Sequence, residues 1–238
     1  MNPDYSILFH TAADIPPPLS FRAIIRIQKA SGATRVEFSR EYTGREEMPL
    51  QEIEAEGFSS NDDFSWEGSL PAFWMEEAQN LAEHTEWKPA AETRILLSTS
   101  ESDEWLSPVQ EKSWILFAEE IIQASLEEGG RELPMEMAFG ELLKNNFYEQ
   151  LSLEWRFAHR EIYAGTKRGD RQVFAGRDWE EASAQLKSWM EEEAEKTDLY
   201  QLPVKRGNYW LINNELWLPE RKKIHGRLWE WVLQQSRG

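Results

Sequence analysis

Cysteine is absent from the 238 residues, and with it go a disulfide framework, a thiolate zinc site and a cysteine nucleophile. No stretch approaches the roughly 18 consecutive apolar residues of a membrane-spanning helix. The opening MNPDYSILFHTAADIPPP has neither a basic leader nor a sustained apolar run. These gaps predict a soluble cytoplasmic protein with no membrane partner. Gly-x-Ser-x-Gly, Gly-x-x-x-x-Gly-Lys and Gly-x-Gly-x-x-Gly are also missing. A serine elbow, a phosphate loop and a dinucleotide turn therefore lack support, and no cofactor is expected. Histidine is scarce, at four residues, and His-Glu-x-x-His does not occur. A carboxylate and imidazole site can be drawn through Glu77, Asn80, His84 and Glu86, but the solvated end of an acidic helix is the preferred reading and no metal is expected.

What the chain does contain is ring area and negative charge. Twelve tryptophans and 11 phenylalanines stand in a chain that is 40% hydrophobic, which predicts an aromatic-rich core. The formal charge of −17 is unevenly spread. Residues 1–119 hold 9 Lys+Arg against 22 Asp+Glu, and residues 120–238 hold 17 against 21. Such a field repels phosphate backbones over a Debye length of about 8 Å, so nucleic acid is disfavoured as a partner and a basic protein is favoured.

Periodicity predicts a mixture of strands and helices. FRAIIRIQ alternates with Phe21, Ala23, Ile25 and Ile27 on one face, and TRVEFSREY alternates again after Ser31-Gly32, giving a hairpin over residues 20–43. A short helix is expected over MPLQEIEAE, a loop over GFSSNDDFSWEGS, a helix over LPAFWMEEAQNLAEH and a strand at RILLS. Ser107-Pro108-Val109-Gln110 has capping-box spacing ahead of KSWILFAEEIIQASLEE, which Gly129-Gly130 ends. In the second half LPMEMAF is ambiguous, LSLEWRFAHREIY reads as one long strand, and RQVFAG returns after the turn TKRGDR. Asp178 and Glu181 again have capping-box spacing before the stripe Ala182, Leu186, Trp189, Met190. NYWLIN is a strand, and a final helix starts at Pro219.

The halves echo one another. WLSPVQEKSWILFAEEIIQ matches WLPERKKIHGRLWEWVLQQ at a displacement of 112, while REYTG and REIYAG share an order at a displacement of about 120. The predicted fold is α+β, with two related halves over residues 1–130 and 131–238, each of β-hairpin, helix, strand and helix, packed as two units or as one compact domain.

Few residues suggest chemistry. Alternation carries His159 onto the apolar face of its strand, and Arg40 stands similarly between Phe38 and Tyr42. The bland reading of both is a hydrogen-bonded residue at the core edge. Were they to converge, a charged fork and a tunable donor would together bind a small anion. Lys222, Lys223 and Arg227 form a basic patch in the final helix, with pairing to the chain's own acids the economical reading. The adjacent acids Asp62-Asp63 and Glu46-Glu47 are expected by chance among 43 carboxylates. Arg168-Gly169-Asp170 reads as a hairpin turn.

The leading functional expectation is a non-catalytic interaction or regulatory module that offers an acidic surface to a basic protein. The alternative is a hydrolase or transferase acting on a small anion near Arg40 and His159. A third is homo-oligomerisation through exposed tryptophans.

Overall fold

The computed structural model describes residues 4–90, 93–100, 102–143, 146–166, 169–194, 207–212, 216–219, 230–231 and 234. Sheets and helices make a mixed α+β fold that divides into two compact units, Met1–Glu132 and Leu133–Gly238.

The first unit runs β1 (Tyr5–His10), β2 (Phe21–Ala30), β3 (Ala33–Tyr42), α1 (Leu50–Ala55), β4 (Phe64–Pro71), α2 (Phe73–Glu83), β5 (Trp87–Pro89), β6 (Ile95–Thr99), β7 (Ser102–Pro108) and α3 (Glu111–Glu128). Its seven strands lie in the order β4-β3-β2-β1-β6-β7-β5. All neighbouring pairs are antiparallel. One face of this sheet is buried. Ile7, Phe9, Ile25, Ile27, Val36 and Phe38 are at most 3% exposed, and Trp74, Trp114 and Phe117 from α2 and α3 are equally enclosed. The rings of Trp74 and Trp114 each meet Phe117 edge-on, with centroids 5.9 and 5.8 Å away.

The second unit runs β8 (Met135–Leu143), β9 (Asn146–Arg156), β10 (Glu161–Thr166), β11 (Arg171–Ala175), α4 (Arg177–Ala194), β12 (Gly207–Ile212) and β13 (Leu216–Pro219). Its sheet order is β11-β10-β9-β8-β12-β13, again antiparallel throughout. Met137, Phe139, Leu153, Trp155, Phe174 and Trp210 form its core with Trp179 and Leu186 of α4.

Several elements depart from expectation for identifiable reasons. Residues 57–69 were expected as loop, yet Phe64–Pro71 is a strand. Its inward positions Phe64, Trp66 and Leu70 are diluted by Gly68, which lies beneath the Trp66 ring. A Cβ at Gly68 would stand 2.2 Å from that ring. The long strand expected over LSLEWRFAHREIY is cut at Arg156 by a turn in which Arg160 takes a positive φ of 49°, a turn without glycine, proline, asparagine or aspartate to announce it. Ser107 and Pro108 end a strand instead of capping α3, whose N-cap is Gln110. Asp178 falls inside the first turn of α4 rather than at its cap. REYTG and REIYAG fall at opposite ends of their strands, the first closing β3 and the second opening β10. Each unit therefore holds more strands than the expected hairpin, helix, strand and helix.

No side chain of its own caps α2. Instead the fully buried Thr34 of β3 donates its hydroxyl to the carbonyl of Pro71 at 3.0 Å and accepts the Met75 N–H at 3.1 Å. A strand residue thus supplies what a helix start lacks. Replacing Thr34 by the isosteric valine removes both hydroxyl bonds and leaves the Met75 N–H with its 3.1 Å bond to the Ala72 carbonyl alone. Thr34→Val is expected to destabilise the protein by about 0.5–1.5 kcal/mol, measured by urea denaturation.

Candidate functional site

Antiparallel pairing gathers the end of β1, the start of β2, the end of β3 and the start of β4 at one end of the first sheet. Phe21 faces Tyr42 and Arg40 faces Phe64 in the register. The aromatic rings form a row: Phe9 to Phe21 at 6.0 Å, Phe21 to Tyr42 at 6.1 Å and Tyr42 to Phe58 at 5.8 Å, all within the range for favourable ring pairs. Three guanidinium groups interleave with it. Arg94 lies 5.4 Å from the Phe9 centroid, Arg40 lies 5.7 Å from Phe21 and 5.1 Å from Tyr42, and Arg45 lies 3.5 Å from Tyr42 and 4.6 Å from Phe58. Each is close enough for a cation–π contribution.

Their other partners differ sharply. Arg94 donates to the His10 carbonyl at 3.4 Å and pairs with Glu119 at 3.3 Å near solvent. Arg45 is buried and holds three chain segments at once, donating to Pro18 O at 2.9 Å, Ser59 O at 3.0 Å and Asp62 Oδ2 at 2.8 Å. Gly44 makes this reach geometrically accessible. It has a positive φ of 76°, and a Cβ there would stand 2.6 Å from Pro17. Arg40 is 8% exposed, and its side chain makes no hydrogen bond or ion pair among the described residues. Its Nε is enclosed with no acceptor.

Arg40 does occupy the inward face with Phe38, as alternation predicts. His159 does not lie on an apolar strand face. The strand stops at Arg156, and His159 is exposed in the following turn. Arg40 belongs to the first unit and His159 to the second. Lys222, Lys223 and Arg227 lie outside the described residues. Of the terminal helix, Glu230, Trp231 and Gln234 are described, and Trp231 packs edge-on against Phe174 at 6.1 Å. His84 is exposed with Nδ1 2.8 Å from the Asn80 carbonyl, and no group of three metal-binding side chains occurs among the described residues. Five tryptophans, 74, 114, 155, 179 and 210, are at most 3% exposed, whereas Trp105 is 36% exposed.

Two features of this region escaped sequence reasoning. Arg45 and Asp62 are 17 positions apart, and no local pattern joins them. Asp62 is not the solvated acid expected of an Asp-Asp pair. The second is a run of five exposed carboxylates, Glu46, Glu47, Glu52, Glu54 and Glu56, on the 3-10 turn Arg45–Glu47 and along and just after α1. None forms an ion pair or side-chain hydrogen bond among the described residues. Leu50, 48% exposed, stands in their midst.

The outward faces of the sheets are charged but balanced. Arg22 meets Glu41 at 2.6 Å, Arg26 meets Glu37 at 3.3 Å, and Arg35 meets Glu67 across β3 and β4. In the second unit a cleft of about 360 Å³ includes Glu136, Glu149, Glu154, Tyr163 and Arg171. The Tyr163 hydroxyl donates to Glu161, which raises its pKa with help from desolvation, and the Arg171 guanidinium lies 4.2 Å from the Tyr163 ring.

Burial works against ionisation of Asp62, but the Ser59 N–H at 2.7 Å, the Ser59 hydroxyl at 2.8 Å and the Arg45 guanidinium outweigh it. They hold its pKa down to about 2. The folded value lies below the unfolded one of about 3.9. The carboxylate's contribution is therefore full above about pH 5 and lost as pH falls toward 2. Denaturation midpoints measured from pH 5 to pH 2 are expected to fall more steeply in the native chain than in Asp62→Asn, which is also less stable at neutral pH.

The chain matches no family model, no curated protein and no solved structure.

Proposed function

We propose that the protein is a non-catalytic interaction module that presents the acidic surface of its first unit to a basic protein. The observation that carries this reading is the contrast between balanced and unbalanced charge. Glutamates on the outward sheet face stand beside arginines, whereas the exposed Glu46, Glu47, Glu52, Glu54 and Glu56 flank the exposed Leu50 in the sequence and form no ion pair among the described residues. A half-exposed aliphatic residue on a segment rich in unpaired charge has the makeup of a small interface: the charge steers the approach and the apolar residue contributes to retention.

The proposal extends to the architecture, in which the two halves are copies of one unit. Supporting it are the strand orders β4-β3-β2-β1-β6-β7 and β11-β10-β9-β8-β12-β13, which correspond position by position. Leu106 and Leu218 stand at the 112-residue displacement read from Trp-Leu, and their strand partners Leu97 and Trp210 are 113 apart. The net charge differs between the copies, so the acidic role belongs to the first.

A lysine-rich peptide of about 20 residues is expected to bind at low ionic strength and to weaken strongly at 0.5 M salt, where the Debye length shrinks to about 4 Å. Replacing the five glutamates by glutamine is expected to reduce affinity at least tenfold, while Glu83→Gln changes it little. Leu50→Ser is expected to shorten the lifetime of the complex. Equal binding by the native and five-glutamine chains in fluorescence anisotropy counts against the proposal.

A further inference from the structure

We infer that Arg40 is the floor of a binding site for a small oxyanion, a carboxylate or phosphate group, independent of the acidic surface around Leu50. A guanidinium withdrawn from water pays a desolvation penalty of several kcal/mol unless it is paired and hydrogen-bonded. Arg40 is 8% exposed and its Nε is sealed without an acceptor. The rings of Phe21 and Tyr42, 5.7 and 5.1 Å from its Cζ, are its close company. Cation–π contacts stabilise the charge but satisfy none of its five N–H donors.

Arg45 supplies an internal comparison on the same rim. It is buried to a similar degree, at 6%, it contacts the same Tyr42 ring, and it is engaged by two carbonyls and a carboxylate. Its Nη2 is the one nitrogen left enclosed without a partner. Two guanidinium groups thus share one aromatic ring. One is almost fully satisfied by the chain, and the other has no acceptor among the described residues, with its Nε sealed and its terminal nitrogens open to solvent.

The surrounding fold does not require a cation there. The inward residues of the neighbouring strand positions are Ala23 and Phe64, and aliphatic or aromatic side chains fill the other inward positions of β2 and β4 except Gly68. A methionine or leucine satisfies such a place at lower cost. The arginine provides what those cannot: a planar fork suited to bidentate contact with an oxyanion, held between rings that fix its orientation. A ligand contributing two oxygens completes the hydrogen bonding and neutralises the charge in one step.

The test uses the full-length protein with inorganic phosphate in one arm and acetate in another, against chloride at equal ionic strength. In ¹⁵N-resolved spectra the Arg40 Nε–H resonance is expected to shift and saturate with at least one of the two anions, and the arm that saturates at lower concentration identifies the source. In thermal denaturation that anion is expected to raise the midpoint by about 3 °C or more at ten times its dissociation constant. Arg40→Met is expected to retain its fold, to be at least as stable as the native chain in chloride, and to lose the anion-dependent shift. Arg40→Lys retains the charge without the fork and is expected to bind at least tenfold more weakly. Equal stabilisation of native and Arg40→Met proteins overturns the inference, as does an unmoved Arg40 resonance. Marked loss of stability in Arg40→Met without any anion effect on the native chain assigns Arg40 to the scaffold and overturns it too.

Discussion

Each sheet has one face to bury, and a strand reverses its side chains at every residue, so the chemistry of the whole surface follows from which parity faces the helices. In β2 the inward set is Ala23, Ile25 and Ile27, and the outward set includes Arg22 and Arg26. In β3 the outward set includes Arg35, Glu37 and Glu41. Because these strands pair antiparallel and in register, opposite charges are delivered to adjacent positions. Exposed pairs of this kind contribute at most about 1 kcal/mol each. Their larger consequence is local neutrality: the outward sheet face, rich in charged groups, carries little net field. The surplus acidity of the first unit is displaced onto helices and connections, Glu46 to Glu56 above all, where no partnering strand imposes compensation.

The same constraint makes inward polar residues informative. Thr34, Ser125 and Arg45 are buried, and each has an evident structural task. Thr34 anchors the start of α2, Ser125 donates back to the Ile121 carbonyl at 2.7 Å, and Arg45 ties loops to the sheet end. A buried donor usually costs more to leave unpaired than it contributes when paired, so such groups persist where acceptors are built around them. Arg40 shares their burial and has no acceptor among the described residues.

The regular parts of the fold were legible where alternation or helical spacing was uninterrupted. The β2–β3 hairpin, α2, α3 and α4 follow directly from their apolar stripes. β1 escaped notice because Tyr5 to His10 is too short and too apolar to show a clear period, even though it lies inside the sheet between β2 and β6. β4 was hidden by Ser65, Gly68 and Ser69, residues that ordinarily signal loops. Pairing can convert a weak strand into a stable one, and pairing is nonlocal. Arg40's inward position was readable from Phe38, but its isolation from acceptors was not, since that depends on where Phe21 and Phe64 arrive from other strands. His159 illustrates the opposite error. Parity was extended through a turn that interrupts it, and the side chain emerged in solvent.

The corresponding strand order of the second unit sharpens what Arg40 means physically. β10 occupies the place in its sheet that β3 occupies in the first, third from the β8 or β1 strand through its hairpin neighbour. Its inward residues are Ile162, Ala164 and Thr166, with Ile162 and Ala164 fully enclosed. That strand order therefore closes around an uncharged inward face. Topology alone does not call for a guanidinium among the rings, and neither does packing volume, since aliphatic side chains fill such positions at less desolvation cost. The charge on β3 is a property added to the fold rather than a condition of it.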